Sequence, residues 1–77
     1  MFKLLMQVDA NIYYKGLPFL ASKCEEAGAY IPVDTLGWGL KKCKTNKNHT
    51  ATLTTRSGMK VRFNYDQCHR LISIYTE

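Results

Sequence analysis

His49 to Tyr65 reads HTATLTTRSGMKVRFNY. Two alternating runs flank a three-residue break, Arg56-Ser57-Gly58. Ala51, Leu53 and Thr55 fall on one side, together with Met59, Val61, Phe63 and Tyr65. Thr50, Thr52, Thr54, Lys60, Arg62 and Asn64 fall on the other. Successive side chains of a strand point to opposite faces, so a period of two broken by a glycine-containing turn predicts a β-hairpin. One hairpin face is apolar and must be covered. The other is hydroxylated and cationic and has no carboxylate.

Downstream, Asp66-Gln67 is turn chemistry, and Arg70 to Tyr75 reads as a last strand. Ile72 and Ile74 share one face of it, Leu71 and Tyr75 the other. Cys68, Leu71, Ile72 and Tyr75 also fit helical spacing, but β-branched content and short length favour the strand. Upstream, Thr45 to Asn48 is a polar turn. Residues 34–44 are ambiguous. Asp34 suits the cap of a short helix, whereas Gly37 and Gly39 each cost about 1 kcal/mol relative to alanine inside one. This favours a turn at Asp34–Gly37 and a strand near Trp38–Lys44.

Leu17, Leu20, Ala21, Cys24 and Ala27 make an apolar stripe at helical spacing, with Pro18 suited to the first turn and Gly28 to the C-terminal cap. Residues 2–8 alternate as a strand, with Phe2, Leu4, Met6 and Val8 on one side and Lys3, Leu5 and Gln7 on the other; Asp9-Ala10-Asn11 is a turn. Ile12-Tyr13-Tyr14 reads as a short extended piece or the lead into the helix. The expectation is therefore a single small α+β domain over residues 1–77. It has an antiparallel sheet of about four to five strands in the order β-α-β-β-β-β, with one helix packed on one face. A sheet covered on one face leaves the other wet.

The 77 residues bury only about 60% of their unfolded surface, too little for a large internal active-site cavity. No run of about 18 apolar residues spans a membrane. The start, MFKLLMQVD, is too short for a signal-peptide core, so a cytoplasmic location is expected. Without such a signal, the glycosylation pattern Asn48-His49-Thr50 is read as accidental. Cys24, Cys43 and Cys68 are expected to be reduced thiols, with Cys24 in the core stripe.

The net charge of +5 is uneven. Residues 1–40 carry Lys3, Lys15 and Lys23 against Asp9, Glu25, Glu26 and Asp34. Residues 41–77 carry Lys41, Lys42, Lys44, Lys47, Arg56, Lys60, Arg62 and Arg70 against Asp66 and Glu77. A basic half beside a near-neutral half points to a polyanion or an acidic protein as partner. Those eight cations are the candidate nucleic-acid contacts. Thr50, Thr52, Thr54 and Asn64 add hydrogen-bonding groups, and Tyr13, Tyr14, Tyr30, Trp38 and Tyr75 are candidate stacking residues. Phe63 and Tyr65 lie on the core face of the hairpin and are not. Trp38, between two glycines, is a candidate protein-interface anchor if exposed; packing on the end of the sheet is its alternative.

Cys43, His49, Cys68 and His69 have the residue types of a zinc site but not its spacing, and Cys68-His69 is no catalytic dyad because adjacent strand side chains diverge. No metal, cofactor or catalytic set is assigned. The expectation is a non-enzymatic binding protein that engages RNA or DNA, an acidic protein, or both through the cationic hairpin face. Its size and charge fit a phage-type inhibitor or regulator of a host enzyme. The alternatives are a metal-independent ribonuclease using His49 and His69 with neighbouring cations, and a structural homo-oligomer paired through sheet edges.

Overall fold

In the computed structural model, which describes residues 1–11, 16–66, 68 and 70–77, the order is β1 (Lys3–Asp9), α1 (Leu17–Glu26), α2 (Val33–Thr45), β2 (Thr50–Thr54), β3 (Lys60–Tyr65) and β4 (Leu71–Thr76). The strands form one sheet in the order β1-β4-β3-β2, with all neighbours antiparallel. Both helices pack on one face. The expected α+β class and one-sided cover hold. The expected single helix becomes two, and the order is β-α-α-β-β-β with four strands.

The hairpin forms as its alternation requires. Ala51 pairs with Phe63 and Leu53 with Val61 toward the helices, while Thr52 pairs with Arg62 and Thr54 with Lys60 on the other side. The Thr55 N–H donates to the Met59 carbonyl at 2.8 Å, and Gly58 takes a φ of +90° in the loop. That left-handed position is why a glycine stands there. β4 lies in the middle of the sheet, where Ile72 pairs with Val8 and Tyr65, and Ile74 with Met6 and Phe63.

The first correction concerns residues 34–44. The expected turn and strand form helix α2. Leu36, Gly39, Leu40 and Cys43 are its buried residues, at i, i+3, i+4 and i+7. One member of that stripe is a glycine, which hides the stripe from a hydrophobicity reading. A Cβ at Gly39 would overlap the Phe63 ring, and one at Gly37 would stand 3.2 Å from Leu17 on α1. These glycines let α2 lie close to both β3 and α1. Asp34 in the first turn and Lys42 and Lys44 in the last complement the helix dipole.

The second correction concerns β1. Its register shifts between Leu4 and Met6, so Met6 and Val8 face the helices while Leu4 pairs with Tyr75 and is 56% exposed. An inserted residue reverses the side from which the chain continues. Phe2, Leu4, Met6 and Val8 are therefore not one face.

α1 buries Leu20 and Cys24 from its stripe, while Ala27 at the stripe's end is exposed. The helix closes at Gly28, whose φ is +107°, with the Ala29 N–H on the Cys24 carbonyl and the Gly28 N–H on the Glu25 carbonyl, each at 3.0 Å. Leu20, Cys24, Ile31, Leu36, Leu40, Cys43, Val61, Phe63, Ile72 and Ile74 form the center of the core. Among the described residues, no helix is long and apolar enough to cross a membrane. Ile12, Tyr13, Tyr14 and Lys15 lie outside the described residues, as do Gln67 and His69.

Candidate nucleic-acid interface

Among the described residues, no element covers the sheet face away from the helices, and it is called the open face. β2 contributes Thr50, Thr52 and Thr54, and β3 contributes Lys60, Arg62 and Asn64. β4 contributes Leu71, Ser73 and Tyr75, and β1 contributes Leu4, Gln7 and Asp9.

Arg62 is the center of this face. Its guanidinium lies over the Phe2 ring, 4.4 Å from the centroid, and its Nε donates to Thr52 Oγ1 at 3.3 Å. Its register partner on β4 is Tyr75. Stacking on an aromatic ring and one hydrogen bond fix the plane of the guanidinium, leaving the terminal nitrogens as its donors to a ligand. Phe2, Thr50, Arg62, Asn64 and Tyr75 enclose a depression of about 340 Å³. Around it, Gln7 Nε2 donates to Ser73 Oγ at 3.0 Å, and Thr50 Oγ1 lies 2.9 Å from Asn64 Oδ1. The polar side chains are thus held in pairs, one joining β1 to β4 and one joining β2 to β3.

The eight candidate cations do not form one patch. Lys60 and Arg62 are on the open face. Lys60 is 3.8 Å from Glu77, an exposed ion pair worth about 0–1 kcal/mol, so the face is less free of carboxylates than the hairpin alone implies. Lys41, Lys42 and Lys44 are exposed on α2, in the helical layer behind the sheet, and Lys47 lies in the turn after it. Arg56 is in the β2–β3 loop, near Tyr30, Pro32, Asp34 and Thr35. Arg70 precedes β4 at the opposite end of the sheet, where its N–H donates to Asp66 Oδ1 at 2.6 Å. Phe2 was not among the candidate stacking residues. The sequence groups it with Leu4, Met6 and Val8 on one face, and only the register shift between Leu4 and Met6 separates it from the core side.

Trp38 is 59% exposed on α2 rather than packed on the sheet end. Lys41 Nζ and Lys42 Nζ lie 5.7 and 5.8 Å from its ring. Phe63 and Tyr65 are buried, as their side of the hairpin requires.

Burial pushes the Cys24 and Cys43 thiols up to about 11, and Cys43 Sγ donates to the Leu40 carbonyl at 3.3 Å. Both are core thiols with little thiolate at neutral pH. Cys68 is exposed. Among the described residues, no three His, Cys, Asp or Glu side chains gather as a metal site. His49 takes a left-handed φ of 55°, and its carbonyl accepts the Tyr65 N–H at 2.9 Å; His69 lies outside the described residues.

No family model matches the chain, and neither a curated protein nor a solved structure matches it.

Proposed function

We propose that the protein binds single-stranded nucleic acid, RNA or DNA, on the open face of its sheet. The observation that carries this reading is Arg62 stacked on Phe2 beside Tyr75, in the middle of the four-stranded sheet on the face that no described element covers. An unpaired base offers a π-face to an aromatic ring or a guanidinium plane, and its phosphate offers oxygens to Arg62 and Lys60. The threonines and Asn64 supply hydrogen bonds to sugar or phosphate without selecting a sequence. A double helix is a poorer fit, because its bases are already stacked on one another. The function is binding: the face has cations, hydroxyls and aromatic rings.

Fluorescence anisotropy of a labelled single-stranded RNA tests this. Affinity should fall about tenfold or more in Arg62→Glu, and the salt slope should shrink by about 0.7 per lost phosphate contact. Unchanged affinity and slope in Arg62→Glu and Tyr75→Ala would remove the reading.

A further inference from the structure

The free edge of the sheet offers a second surface, separate from the open face. β2 is an outermost strand. The His49 carbonyl accepts from Tyr65, and the Thr55 N–H donates to Met59. In an antiparallel ladder the hydrogen-bonded pairs alternate, so Ala51 and Leu53 also bond to β3, while Thr50, Thr52 and Thr54 turn their N–H and carbonyl groups outward. Thr50 is sealed by side chains: Asn46 Nδ2 donates to its carbonyl at 2.7 Å, and its N–H donates to Asn48 Oδ1 at 3.2 Å. Among the described residues, no such cover is present at Thr52 and Thr54. An exposed edge of this kind is a template for another strand.

A groove runs beside that edge. Asp34, Thr35, Trp38 and Lys42 of α2 form one wall, and Leu53 and Thr54 of β2 the other, around about 270 Å³. The Thr54 side chain is on the far face of the sheet, so the groove reaches Thr54 at the strand's edge. A strand added there would send alternate side chains into the groove. They would meet an exposed indole and Leu53, with Lys42 and then Lys41 beside them. Among the described residues, Asp34 is the one carboxylate in the wall, and its Oδ1 accepts from the Thr35 N–H at 2.9 Å. The cationic end is therefore the end toward Lys42. A second copy of this chain fits poorly, because pairing two β2 edges brings Lys42 of both chains to one seam.

We propose that an extended acidic segment of a partner protein adds as a strand at Thr52 and Thr54, with an apolar side chain against Trp38 and Leu53 and a carboxylate on Lys42. Main-chain hydrogen bonds supply affinity, and the groove supplies the preference for an apolar and an acidic residue two positions apart, both on the face turned to the helices.

Trp38 is the only tryptophan, so its emission reports on the groove. The probe is a short acetylated peptide of threonines carrying a valine and a glutamate two positions apart, so that both face the groove. Expected are a blue shift and saturable binding. Binding weakens about tenfold or more in Lys42→Glu, and as much when the edge-facing peptide nitrogens are methylated. Arg62→Glu, on the open face, leaves it unchanged. No shift, equal binding of the N-methylated peptide, or equal binding of the glutamine analogue overturns the proposal. So does displacement of the peptide by single-stranded RNA, which assigns the groove to nucleic acid. A shift that follows protein concentration without peptide also overturns it, in favour of a second copy of the chain.

Discussion

Gly39 on α2 lies directly against the ring of Phe63 on β3, and no side chain larger than hydrogen fits between them. The contact sets how closely the helical layer approaches the sheet. It therefore sets which side of β3 is core and which side carries Arg62.

Gly39→Ala tests this contact. By helix propensity alone, alanine favours α2 by about 1 kcal/mol. The overlap with Phe63 opposes that, since overpacking costs about 1–3 kcal/mol. The expected outcome in urea denaturation is a less stable protein, with part of the loss recovered in the Gly39→Ala/Phe63→Leu double variant. A more stable Gly39→Ala protein contradicts the packing described.

The same pair shows what the sequence made legible. The hairpin could be read because its period of two is unbroken and its turn carries a glycine at the position with positive φ. β4 could be read from its β-branched content and short length, which outweighed a competing helical spacing. α2 could not. Its stripe runs through Gly39, so propensity and hydrophobicity both spoke against a helix, and only packing against Phe63 and Leu17 accounts for the two glycines. The inserted residue in β1 was equally silent, because alternation of Phe2, Leu4, Met6 and Val8 looks the same with or without it.

The candidate site was legible in part. Lys60, Arg62 and the threonines share a face because the pairing register puts them there. Lys41 to Lys47 precede the hairpin closely in sequence, but the helix that carries most of them packs on the opposite side of the sheet. Nearness along the chain thus overstated the size of the patch. Phe2 joins the site across β1 and β4, a contact no local pattern announces.

Charge reversal separates the two layers. Arg62→Glu should weaken single-stranded RNA binding about tenfold or more, whereas Lys44→Glu on α2 should change it by at most about threefold through the general field. Electrophoretic mobility shift at two salt concentrations measures both. Equal losses in the two variants would assign the helical layer to the nucleic acid.

The thiols should divide by burial. Iodoacetamide should modify Cys68 rapidly in the folded protein, and Cys24 and Cys43 only on unfolding. Mass spectrometry of the time course reads this directly. Fast labelling of Cys24 would contradict the core.

Those buried thiols also make stability depend on alkaline pH. Their folded values of about 11 lie above the ordinary 9.0, so between these limits the folded state holds protons that the unfolded state has lost. Their contribution is fully present below about pH 9 and is lost as pH rises through about 11. The fall in unfolding free energy across this window should be less steep in Cys24→Ala than in the parent protein. Identical slopes would mean that Cys24 does not titrate differently on unfolding.

The most direct test of the central claim is a map of backbone amide shifts as a short single-stranded RNA is titrated into the labelled protein. Binding on the open face predicts the largest changes at Thr52, Arg62, Asn64, Ser73 and Tyr75, with Trp38, Lys41 and Lys44 nearly unmoved. Changes concentrated on α2, with the open face silent, would contradict it.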